Sequence, residues 1–204
     1  MIKRITAYVP ALILGLALGP ASALYTAGLW PGAKPLDFGN VEIDGWRSDF
    51  AIGSEAADPY TRARIARHGL LALSKKEAVY FTRATDSAGR PLVEKCSYAV
   101  SGEGMPAEWW SITLYDRDSK LPINDDEALS LNALSVEWED DRYWGATISS
   151  QRPNNEPNWI SSRNASTFDL TLRLYMPTKG LLEDPEASFV GPTVSRISCA
   201  EDAT

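Results

Sequence analysis

The alternation of apolar and polar residues is clearest from Phe168 to Tyr175. There Phe168, Leu170, Leu172 and Leu174 share one side, and Asp169, Thr171, Arg173 and Tyr175 the other. A period of two puts successive side chains on opposite faces of a sheet, so this segment predicts a half-buried strand ended by Pro177. Similar stretches predict strands over Glu77 to Asp86, Val93 to Gly102 and Glu108 to Asp116, with weaker ones over Leu129 to Trp138 and Tyr143 to Ser150. Turn chemistry separates them at Ser87 to Pro91, at Pro122 with Asn124 to Asp126, and at Gln151 to Pro157. Helix signals are few. Asp58 followed by Pro59 reads as a capped start and Gly69 as a stop, which predicts one short helix near residues 59–68. Many short strands with one such helix predict a mainly β fold, an antiparallel, jelly-roll-like β-sandwich.

A different pattern opens the chain. After Lys3 and Arg4 the sequence is uncharged from Ile5 to Ala33. A helix from Ile5 to Trp30 would measure ~39 Å, more than the ~30 Å hydrocarbon core needs. Basic residues ahead of an apolar run keep that end in the cytoplasm, so the chain beyond Trp30 is expected on the outer side of the cell membrane. Tyr25 and Trp30 suit the outer interface of a retained single-pass anchor. Pro20 followed by Ala21, Ser22 and Ala23 suits a cleavable signal peptide, with release into the periplasm after cleavage near Ala23. Residues 1–30 are therefore anchor or signal, 31–45 a linker, and 46–204 a single sandwich domain.

Composition narrows the partners. The net charge of −7 is carried by 27 acidic against 20 basic residues, and leaving out Lys3 and Arg4 makes the rest more acidic still. Bulk charge thus speaks against nucleic acid as a partner. Cys96 and Cys199 both lie in the exported part, where an oxidising compartment favours a disulfide between them. The one histidine, His68, stands at the expected helix end and cannot build a multi-histidine metal site, so no metal and no cofactor is expected. Hydrolase elbows, phosphate-binding glycine loops and zinc-protease helices are absent, and no catalytic residue is assigned.

Several blocks occur in an order that resembles a known family. They are Asp58-Pro59-Tyr60-Thr61-Arg62-Ala63, then Ala66-Arg67, Gly69, Glu77-Ala78 and Tyr80-Phe81, then Trp110 through Asp116, Asn158-Trp159, and Leu172 through Tyr175 before Pro177. Together they resemble the domain of unknown function 1214. The resemblance implies a β-sandwich, seen as the C-terminal of two domains in longer relatives and here behind an apolar segment like those of short exported bacterial members. Ile160-Ser161-Ser162 stands where a Leu-Pro step is more typical, so the local turn is expected to differ. The resemblance carries no activity with it.

The remaining candidates are side chains suited to binding. Arg62 belongs to the only basic concentration in an acidic domain, with Arg64, Arg67, Lys75 and Lys76, and an arginine fork suits a carboxylate or phosphate. A solvated helix face with ion pairs to the many acids nearby is the simpler reading of the same residues. Trp109 and Trp110 are adjacent on a strand and must point to opposite faces; the outward one, met by Trp159 and beside Asp116, would make a platform for a sugar or an apolar ligand. Arg62, Trp110, Asp116 and Trp159 are thus the candidate ligand residues. The expected function is non-catalytic binding of a small ligand, a polysaccharide or an envelope protein. The alternative is a hydrolase of carbohydrates or esters that uses Asp116 and a second acid.

Overall fold

The computed structural model describes residues 2–31, 41–50, 59–60, 62–63, 73–140 and 142–200. The chain forms two compact units, Met1–Asp37 with Ala51–Ala72, and Phe38–Phe50 with Leu73–Thr204.

In the first unit, helix α1 covers Ile2–Thr26 and contains Pro10 and Pro20. Its stretch Tyr8–Thr26 is long and apolar enough to cross a membrane, and a signal sequence meets the same description. Leu12, Ile13, Leu14, Leu16 and Leu18 are all exposed, so the helix gathers no core around itself. Of the helix expected near 59–68, residues 59, 60, 62 and 63 are helical; Asp58, His68 and the others lie outside the described residues.

The second unit is two sheets. Strands β1 (Val41–Ile43), β2 (Trp46–Ser48), β3 (Ala78–Arg83), β5 (Ala107–Asp116), β6 (Ser130–Asn132) and β9 (Phe168–Pro177) build the larger, in the order β1-β2-β3-β9-β5-β6. Strands β4 (Cys96–Glu103), β7 (Tyr143–Ser149), β8 (Trp159–Ser161) and β10 (Thr193–Cys199) build the smaller, in the order β10-β4-β7-β8. All pairs are antiparallel except β7 with β8, which run parallel. Two short helices, α2 (Lys179–Glu183) and α3 (Pro185–Ser188), join β9 to β10, an addition to the one short helix that the sequence predicts. Thr178 caps the first and Asp184, followed by Pro185, caps the second.

The core is fed by the inward rows of both sheets. Phe81, Ile112, Leu114, Leu170, Leu172 and Leu174 come from the larger, and Tyr98, Val100, Trp144, Ile148, Ile160 and Val194 from the smaller. Strand β9 lies between β3 and β5, so both its edges are hydrogen-bonded. Its alternation follows from its faces: Phe168, Leu170, Leu172 and Leu174 enter the core, and Asp169, Arg173 and Tyr175 on the other side are only partly buried.

Buried polar groups fix the edges. Asp44 and Gly45 both have positive φ, 52° and 80°, and make the tight turn between β1 and β2 inside the stretch expected to be a linker. Arg83, buried, donates to the carbonyls of Thr85, Asp44 and Pro192 and so ties that hairpin to β3 and to the approach of β10. Trp46, fully buried, donates its indole N–H to the Pro192 carbonyl at 2.8 Å. Asn158 accepts from the Glu137 N–H and donates to the carbonyls of Glu137 and Gly145, which locks the loop before β7 to the start of β8. Cys96 and Cys199 face one another in the β4–β10 register and are bonded.

Candidate anion-binding face

The outward row of β9 holds Asp169, Thr171, Arg173 and Tyr175, because Phe168, Leu170, Leu172 and Leu174 take the core. Register sets their neighbours. On β5, Tyr115 stands opposite Asp169, Thr113 opposite Thr171, Ser111 opposite Arg173 and Trp109 opposite Tyr175. On β3, Tyr80 stands opposite Arg173 and Thr82 opposite Thr171. Sequence-distant residues thus form a polar and aromatic face on the larger sheet.

Arg173 is its centre. One guanidinium nitrogen donates to the Thr113 hydroxyl at 3.0 Å and the other to the Tyr115 hydroxyl, with the Tyr115 ring centroid 5.4 Å away. Both partners are neutral, and among the described residues no carboxylate pairs with Arg173. A half-buried cation held by neutral hydroxyls keeps its charge and has its fork oriented. Trp109 and Tyr175 meet edge to face with centroids 5.3 Å apart. Burial pushes the Tyr80 phenol up, the nearby Tyr175 adds to this, and Arg173 opposes it.

Asp169 closes the row. Burial, opposed by a hydrogen bond with Thr171 and helped to a smaller degree by Asp116, leaves its carboxyl pushed up to about 7. This makes the domain's stability depend on pH. An acid whose folded pKa exceeds the ordinary carboxylate value holds a proton that the unfolded chain has lost, so folding is penalised as pH rises from about 4 to about 7, and the penalty is constant above that. Asp169→Asn is therefore expected to match the wild type in unfolding free energy, measured by urea titration, at pH 4.5 and to exceed it at pH 8 by up to a few kcal/mol. Equal differences at both pH values would contradict this.

The four ligand candidates read from the sequence do not form one site. Trp110 points inward and stacks on Trp144, with centroids 5.0 Å apart and planes 24° apart. Trp159 lies on the smaller sheet with Arg152 over its ring at 5.7 Å, and its N–H is taken by Ser149. A shallow recess of about 430 Å³ opens beside it among Glu137, Arg152, Asn155 and Glu156. Asp116 ends β5, and one of its oxygens accepts the N–H groups of Asp118 and Lys120. It alone of the four is felt at the face of β9, through Asp169. Arg62, exposed, belongs to the first unit. The outward tryptophan is Trp109, and it meets Tyr175 rather than Trp159. Arg173 and Asp169 are not among the sequence candidates, although alternation alone sets them on one side.

By fold this is a two-sheet β-sandwich that follows an N-terminal apolar helix, and among the described residues no His, Cys, Asp and Glu cluster could hold a metal ion. The chain belongs to the family described as Protein of unknown function (DUF1214), which matches residues 77–179. The matched span runs from the start of β3 to the start of α2 and so includes all of β9 and β5.

Two solved structures are similar. The VPA0106 protein from Vibrio parahaemolyticus is 20% identical with a TM-score of 0.56, covering 68% of this chain and 35% of its own. An uncharacterized protein from Burkholderia cenocepacia is 14% identical with a TM-score of 0.45, covering 59% of this chain and 30% of its own. This chain spans about a third of the length of either, and the first likeness bears on the fold alone. Among the curated proteins none matches this chain.

Proposed function

We propose that this is a non-catalytic envelope protein: α1 holds it in the cell membrane, the β-sandwich stands outside the cytoplasm, and the outer face of the larger sheet binds an anionic ligand through Arg173. The observation that carries the binding reading is the Arg173 guanidinium, fixed by Thr113 and Tyr115 and paired with no carboxylate among the described residues. Leaving such a cation without a counter-charge in a half-buried place is unfavourable, and an incoming carboxylate or phosphate relieves it. The membrane reading is supported by the exposed apolar run of α1 after Lys3 and Arg4.

The test is thermal denaturation of the full chain in mild detergent with acetate, phosphate, sulfate or glucuronate, each against sodium chloride of equal ionic strength. A bound anion at 100 times its dissociation constant adds about 2.7 kcal/mol. The wild type is expected to rise in Tm with at least one anion, and Arg173→Gln to lose that rise. Tyr115→Phe, which removes one holding hydroxyl and leaves the charge, is expected to weaken it. No rise beyond chloride, or an undiminished rise in Arg173→Gln, overturns the proposal.

A second reading is favoured by one observation. The Asp169 carboxyl, pushed up to about 7, has the protonation of a general acid. Hydrolysis of a carbohydrate or ester would then draw on Asp169 with Asp116. Against it, Asp116 is occupied in closing its own turn. Turnover of a nitrophenyl glycoside or ester that disappears in Asp169→Asn would move the assignment to this reading.

A further inference from the structure

We infer that the anion taken by Arg173 is the carboxylate of an acidic saccharide, whose sugar ring lies against Trp109 and Tyr175; this rests on the proposed anion binding at Arg173. The geometry supplies three constraints. First, Arg173 and Tyr175 are two residues apart on one strand face, a spacing of about 7 Å. Trp109, opposite Tyr175 in the register, meets it edge to face, so an aromatic surface begins one step along the strand from the cation. A six-membered ring and the carboxylate on its exocyclic carbon fit that step, with the acid on the guanidinium and the C–H face of the ring on the indole.

Second, the side chains between and around these groups are hydroxyls. Ser111 stands directly opposite Arg173, with Thr113, Thr171 and Thr82 beside it. Ser111, 7% exposed, puts its hydroxyl next to where the ligand carboxylate would lie. Sugar hydroxyls both donate and accept, as do those of Ser111 and Thr82, while the Thr113 and Thr171 hydroxyls are already engaged by Arg173 and Asp169.

Third, competing acids fit less well. A fatty acid needs aliphatic walls for its tail, but the inward rows hold the leucines and isoleucine, and the neighbours of Arg173 on this face are Ser111, Thr113, Thr171 and Tyr80. Inorganic phosphate would satisfy the charge and leave the Trp109 and Tyr175 pair without a role. Partial exposure of Trp109, Arg173 and Tyr175 leaves each reachable from solvent.

Calorimetric titration of the full chain separates this inference from the reading it rests on. The probes are oligogalacturonate and oligomannuronate, their methyl esters, neutral galactose oligomers and acetate, all at one ionic strength. At least one free-acid oligosaccharide is expected to bind tenfold or more tighter than its methyl ester, the neutral oligomer and acetate. Trp109→Ala is expected to lose about tenfold in affinity for that oligosaccharide and to leave acetate unchanged, while Trp109→Phe retains part of it. Acetate binding equal to that of the acid sugars, with no effect of Trp109→Ala, overturns the saccharide inference and leaves the anion site standing. Equal binding of ester and acid shows that the carboxylate is not read and overturns the inference. No binding of any probe, acetate included, overturns both.

Discussion

Leu172→Asp is expected to abolish folding of the β-sandwich. Leu172 is fully buried, and β9 pairs it with Phe81 on one side and Ile112 on the other, both equally buried. An aspartate there would place a carboxylate among leucines and aromatic rings, with the backbone groups of β9 already committed to its two neighbours. Protonating it, or exposing it by opening the central strand, costs about 5 kcal/mol or more. Total stability of a domain is only about 5–15 kcal/mol, and the cavity left by the lost leucine adds to the damage. The variant should therefore lack a cooperative melting transition in near-ultraviolet circular dichroism. Ser195→Asp, on the exposed side of edge strand β10, serves as the control and should melt within a few degrees of the wild type. A normal transition for Leu172→Asp would mean that β9 presents its other row to the core, and Arg173 would then no longer belong to an outer face.

That dependence shows how much of the fold is legible in the sequence. The alternation of Phe168 to Tyr175 establishes which residues of β9 share a face, and the aromatic, β-branched runs mark β3, β4, β5 and β7. Edge elements escape for identifiable reasons. Strand β8 is three residues long and has Trp159, Ile160 and Ser161 all buried, so it carries no period. Strand β10 buries only Val194, because it lies at the edge of its sheet, and its pattern is correspondingly faint. The β1–β2 hairpin does have a signal in Asp44-Gly45 between Ile43 and Trp46, and α3 repeats at Asp184-Pro185 the signature that Asp58-Pro59 carries.

The site is less legible than the fold. Periodicity says which residues of one strand share a side, but the neighbours across strands depend on register, and register is settled by pairing. Tyr115, Thr113 and Trp109 come to the Arg173 row only because β5 pairs with β9 as it does. Alternation gives no basis for choosing Trp110 over Trp109 as the outward ring, since it requires only that the two diverge. Trp110 is taken inward by Trp144, a residue 34 positions away that no local pattern connects to it.

Removing the disulfide is expected to have the second largest effect. Cys96 and Cys199 are 103 residues apart in sequence, so their bond closes most of the sandwich into a loop. In the chain-entropy picture a loop of this length stabilises the folded state by up to about 4.7 kcal/mol, through the unfolded chain it restrains. The folded contacts explain why the loss would concentrate at one place. Strand β10 has a partner on one side only, β4, and its inward contribution is Val194. Its far end is held by the bond at Cys199, while its near end is held by Ser87, which donates to the Val194 carbonyl, and by Arg196 beside the buried Asp86. With Cys96→Ser and Cys199→Ser together, the melting temperature should fall by roughly 10–15 °C. Amide exchange should accelerate from 197 to 200 before it does near Val194. Fraying that starts instead at Val194 would mean that, without the bond, the backbone pairing of β10 at its Cys199 end outlasts the Asp86 and Arg83 cluster, and that the disulfide is not what fastens that end. A melting temperature unchanged by the double substitution would mean that the unfolded chain is already compact enough for the cross-link to restrain little.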